Sequence, residues 1–129
     1  MSLTNYGENQ VLTLFKENMD QSTNFYYLAL FTDDPGETGS TDNEVSTSST
    51  GYARQAVTFA SASDGSMATS AAIEFSTATG DWGTVTHWGL CDAATGGNVW
   101  WTGEITTPKA IGTGDVYRIP AGNLTLTMD

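Results

Sequence analysis

The rhythm of apolar and polar positions changes once along this chain. Between Asn5 and about Met19, Val11, Leu14, Phe15 and Met19 fall at i, i+3, i+4 and i+8, with Glu8, Lys16 and Glu17 off that stripe. The spacing predicts one amphipathic helix over about residues 5–19, opened by Asn5 and Glu8 as an approximate capping box. After it the pattern becomes alternating or short and apolar, broken by turn residues. Strands are predicted at Phe25–Thr32, Arg54–Phe59, Ala71–Phe75, Thr84–Cys91, Asn98–Thr102, Glu104–Ile105, Asp115–Ile119 and Leu124–Met128. About eight short strands with one N-terminal helix imply a mainly β protein, an antiparallel, jelly-roll-like β-sandwich forming a single domain over residues 1–129. The helix either closes one end of the β-core or docks onto a neighbouring chain. Pro120–Asn123 reads as the turn of a terminal hairpin joining Val116–Ile119 to Leu124–Met128. Asp33–Thr50, rich in Ser, Thr and Asp, reads as an exposed acidic loop, partly mobile unless covered.

Alternation along Thr84–Cys91 places Val85, His87, Gly89 and Cys91 on one face and Thr84, Thr86, Trp88 and Leu90 on the other. The stretch Asp92–Gly97 supplies the small residues a chain reversal needs. Trp100 and Trp101 then follow each other on a strand and are expected to point to opposite faces, one into the core. The second is covered by the helix or a loop, buried by another subunit, or left to stack on a sugar. Val11, Leu14, Phe15, Trp100 and Trp101 are the candidate interface residues.

Composition narrows the classes. Four basic residues against fifteen acids give a net charge of −11 and a pI near 4.1. Nucleic-acid binding needs clustered Lys and Arg, and Lys16, Arg54, Lys109 and Arg118 are scattered, so no nucleic acid is expected as a partner. Charged residues are only 15% of the chain, so the polar surface is largely hydroxyl and amide, suited to strands and turns. One cysteine excludes an intrachain disulfide. Met1–Asn5 lacks the basic and apolar regions of a signal peptide, and the apolar stretch Phe25–Phe31 is far short of the roughly 20 residues that span a bilayer. The expectation is a soluble chain made in a cytoplasm, with no membrane partner.

Candidate chemistry is sparse. His87 and Cys91 could be imagined as base and thiol, but four residues of strand separate their Cα atoms by about 13 Å. One His and one Cys do not make a transition-metal site. Asp33, Asp34, Glu37, Asp42 and Glu44 concentrate oxygens, but not at the EF-hand spacing, so a solvated loop is preferred to a calcium site. No Gly-x-Ser-x-Gly elbow occurs, and Gly36–Gly39 and Gly112–Gly114 lack the setting of a phosphate cradle. Fifteen acids single out no glycosidase pair. Arg54, beside Tyr52, either pairs with an acid at a strand start or is a surface charge. No catalytic, cofactor or metal residue is assigned, and the chain is expected not to be an enzyme.

Several ordered segments resemble a known family. Tyr27–Gly39, Glu44–Ser46, Gly51–Val57, Ala72–Phe75, Trp82–Thr86, Asp92–Asn98 and Ala121–Thr125 are similar to small bacteriophage virion proteins, often labelled phage tail-fibre or minor structural proteins. The similarity covers nearly the whole chain, with Cys91 standing where a larger apolar residue is expected. The resemblance implies a structural protein of the virion, assembled in the host cytoplasm, and carries no catalytic motif. Within that class a head decoration (cement) protein is preferred, because a chain of 129 residues leaves no fibre shaft. It is expected as a homo-oligomer, a trimer, contacting the major capsid protein or other virion proteins through the helix 5–19 and the loop 33–50. The alternatives are a tail-fibre or tail-tip module binding a host glycan and, in another class, a carbohydrate-binding module or hydrolase.

Overall fold

The computed structural model describes residues 3–21 and 26–127. Helix α1 spans Asn5–Gln21. Its cap is Thr4 rather than Asn5: the Thr4 hydroxyl accepts the Gly7 N–H at 3.2 Å, and its carbonyl accepts the Glu8 N–H at 2.8 Å. The buried face keeps Phe15 of the predicted stripe but is centred on Leu12. Leu12 is fully buried and Phe15 is buried, whereas Val11 is 40% and Leu14 64% exposed. Apolar residues at 11, 12, 14 and 15 offer two competing stripes. The Leu12 side packs on the core, and Asn9, one turn before Leu12, accepts the Gly65 N–H at 2.6 Å through Oδ1. The side chain of Met19 lies outside the described residues.

Eight strands follow: β1 Tyr27–Phe31, β2 Gln55–Ala56, β3 Ser66–Ala68, β4 Ile73–Glu74, β5 Gly83–Cys91, β6 Val99–Ile111, β7 Arg118–Ile119 and β8 Thr125–Thr127. All pairings are antiparallel, in a sheet of order β2-β1-β5-β6 and two ribbons, β3–β8 and β4–β7. Three successive pairs nest, β5 with β6, β4 with β7 and β3 with β8, which is how a jelly roll wraps an antiparallel ribbon. Nesting overturns the expected terminal hairpin. The turn is present, with the Asn123 N–H donating to the Pro120 carbonyl at 3.2 Å, but it carries the chain from one ribbon to the other. Ile119 pairs with Ile73, and Leu126 with Met67, because each ribbon then delivers apolar side chains to the same core.

Strand β3 was absent from the predicted set, since Ser66-Met67-Ala68 carries a single large apolar residue. Its signal was the preceding Asp64-Gly65, whose φ angles of 52° and 76° make a two-residue turn closed by Ser63 and Ser66. The predicted strands at 98–102 and 104–105 are one element, β6, on the sheet edge, where Pro108 forfeits no ladder hydrogen bond to a further strand.

The main core lies between sheet and ribbons: Leu28, Leu30, Val85 and Leu90 meet Met67, Leu126, Ile73, Phe75 and Trp82, with Leu12 and Phe15 of α1. Each fully buried large side chain contributes roughly 1.5–3 kcal/mol. Strict alternation would put Val85 with Cys91. Between the pairs Val85–Lys109 and His87–Glu104 the register shifts, and that irregularity turns Val85 to the side of Leu90. A second cluster, Ala29, Phe31, Cys91 and Val99, occupies the opposite face of the sheet. The Pro35–Gly39 turn covers it, a Cβ on Gly39 coming within 3.2 Å of Val99. Among the described residues no helix is long and apolar enough to cross a membrane.

Candidate functional site

The aromatic hairpin is built on a second irregularity. Leu90 pairs with Trp101 and Cys91 with Val99, so Trp100 is an extra residue in β6. A bulge cancels the alternation that would have sent the two indoles apart. Both reach the same ring: the Phe15 centroid is 5.6 Å from that of Trp100 and 4.8 Å from that of Trp101. Tyr26 completes the group, 4.6 Å from Phe15 and 6.0 Å from Trp100. The expectation of opposite faces is therefore corrected. Trp101 is half-buried against the main core, while Trp100 stays 53% exposed.

Asp92 holds this arrangement. Its carboxylate accepts the Asn98 N–H at 2.8 Å and the Trp100 indole N–H at 3.1 Å, closing the loop between β5 and β6. The backbone N–H of Asn98, then the indole of Trp100, hold this carboxyl below its ordinary range. Beside Trp100 lies a cleft of about 320 Å³ lined by Asp34, Glu37, Gly39, Val99 and Thr102.

Arg54 is buried and paired, which decides between the two readings of it. Its Nε and Nη2 donate to the two oxygens of Glu44, each at 2.8 Å, and Nη1 donates to the carbonyls of Ala93 at 2.9 Å and Gly96 at 2.8 Å. The Tyr52 hydroxyl donates to Glu44 at 2.7 Å and accepts the Leu30 N–H at 3.0 Å. The hydrogen bond to Glu44 raises the Arg54 pKa, and burial raises that of Tyr52, so the guanidinium stays charged and the phenol neutral. Such a network positions chain segments and offers no group ready to exchange a proton. Glu44 is not legible as the partner from the sequence, because ten residues separate it from Arg54.

The remaining candidates are dispersed. His87 bonds through Nδ1 to the Thr86 hydroxyl at 2.8 Å, whereas Cys91 is buried with Ala29 and Phe31. Among the described residues no three His, Cys, Asp or Glu side chains converge to hold a metal. Most of residues 33–50 is exposed, but Val45 and Thr50 are buried and Glu44 bridges to Phe31. Of the five candidate interface residues, Phe15 and Trp101 are spent on packing within the chain; Val11, Leu14 and Trp100 remain at the surface, joined by Leu3 and Tyr6, which were not singled out.

No curated protein matches this chain. A family model described as podophage GP4 fiber I protein gp80 matches residues 2–127, nearly the whole sequence. The chain belongs to the podophage GP4 fiber I protein gp80 family, a family of phage fibre and structural proteins.

Proposed function

We propose that this chain is a subunit of a podophage tail fibre, in preference to the head decoration role expected from its length. The observation that carries the proposal is the family match over residues 2–127. Chain length argued against a fibre only if one chain had to build the whole appendage, and a fibre assembled from several chains removes that condition. The role is passive contact within the virion, with other virion proteins as partners. The outer stripe of α1, with Val11 and Leu14 exposed, and Leu3 just before the helix are offered as the contact between copies in a homo-oligomer, a trimer. An ordinary specific interface would bury about 800 Å² per partner.

Immunogold labelling of purified particles, with quantitative mass spectrometry of copy number, tests this. Label at the tail with a small number of copies is the expected result. Label spread over the head in hundreds of copies overturns the fibre assignment in favour of capsid decoration.

A further inference from the structure

A cleft of about 280 Å³ separates β6 from β7 and the turn that follows it, lined among others by Trp88, Glu104, Lys109, Tyr117, Arg118 and Asn123. Two of the four basic residues of the chain therefore share one cleft. Among the described residues the side chains of Lys109 and Arg118 make no hydrogen bond or ion pair, although the chain carries fifteen acids. Two carboxylates are close by. Glu104 lines the same cleft, and Glu74 is the cross-strand neighbour of Arg118, yet neither closes a pair with either cation.

The walls are aromatic and fixed. Trp88 lies across from Gly103, where a Cβ would come within 2.4 Å of the indole, so the ring rests flat on the β6 backbone. Tyr117 is half-buried and tilted against Phe75, their centroids 6.0 Å apart. Among the described residues the indole N–H of Trp88, the Tyr117 hydroxyl and the Asn123 amide have no hydrogen-bond partner. The cleft thus combines two held aromatic side chains, free donors, one carboxylate acceptor and two unneutralised cations.

We infer that this cleft binds an acidic saccharide, its ring against Trp88 and Tyr117 and its carboxylate held by Lys109 and Arg118. A guanidinium matches a carboxylate through two parallel N–H bonds, while ring faces with a few polar groups match a pyranose. The volume of about 280 Å³ falls just below the range of about 300–1,000 Å³ for ligand clefts, which suits a sugar ring better than a peptide segment. The net charge of −11 repels anions at a distance. At physiological salt, however, charges beyond about 8 Å are largely screened, so groups inside the cleft decide binding. The inference names a ligand class for the fibre reading and rests on it only for the source of the sugar, a cell surface.

Calorimetric titration of the full chain with tri-galacturonate and with sialyllactose, using maltotriose as the neutral control, tests it. The acidic sugars are expected to bind, more weakly as salt rises, and maltotriose not to. Because Lys109 and Arg118 are exposed, Lys109→Gln and Arg118→Gln will fold, and each is expected to weaken binding roughly tenfold, the loss of one charge-assisted hydrogen bond. Trp100→Ala, in the other cleft, is expected to leave it unchanged. Failure of both acidic sugars to bind, equal binding of maltotriose, or indifference to both cation variants overturns the site. Tail labelling without sugar binding removes this site alone; sugar binding with head labelling removes the fibre reading alone.

Discussion

At the scale of single residues, Cys91 shows how a local oddity is set by its neighbours. A larger side chain was expected there, but the Phe31 ring lies over this part of β5, and a Cβ on Gly89 would already come within 2.7 Å of it. Small residues at 89 and 91 make room for that ring. Burial then pushes the thiol from 9.0 up to about 11. Because the folded state holds the proton more tightly, the unfolded state loses it first as pH rises. The stability that Cys91 contributes is full below about 9 and is lost as pH rises to about 11. Denaturant titrations at stepped pH are expected to show that decline from about pH 9 in the wild type, and from about 10 in Cys91→Ala, where the raised tyrosines Tyr52 and Tyr117 are next to titrate among the described residues with a raised pKa. An unchanged onset in the variant would remove Cys91 as its source.

At the scale of elements, the helix and the β5–β6 hairpin mark the limit of periodicity. The 3.6-residue pattern found α1, but choosing between its two apolar stripes needed the partner surface. Leu12→Ala is expected to cost about 2–5 kcal/mol, as buried leucine truncations do. Leu14→Ala, 64% exposed, should stay within about 0.5 kcal/mol in the isolated monomer. Thermal melts of the two variants check the assignment, and reversed magnitudes would restore the predicted stripe. In the hairpin, alternation was correct over Trp88–Cys91 and failed at Val85 and at Trp100, where the register shifts. Bulges add a residue without leaving a periodic trace, so they become legible only once both strands are paired.

At the scale of the whole molecule, Arg54 joins parts far apart in sequence. Through Glu44, Tyr52 and the carbonyls of Ala93 and Gly96 it ties the acidic segment to β1 and to the β5–β6 loop. Arg54→Met would leave the Glu44 carboxylate partly buried and unpaired, an arrangement that costs about 3–5 kcal/mol. That is a large share of the roughly 5–15 kcal/mol that holds a domain together. Adding Glu44→Gln should recover part of the loss, and urea denaturation of the three variants measures the coupling. Additive losses would mean that the pair does not act as a unit.

The order of residues by itself determined the class: a chain poor in charge, rich in Thr, Ser and Gly, with one helical stretch and short apolar runs, has few stable solutions other than a small antiparallel β-fold. It also carried the family resemblance, since separated segments agree in order. Only the tertiary structure decided which strands pair, which helix face is buried, that both tryptophans reach Phe15, and that Lys109 meets Arg118 across a cleft. The physical reason is that propensity and periodicity are local, whereas pairing and ion-pair geometry depend on residues brought together from distant parts of the chain.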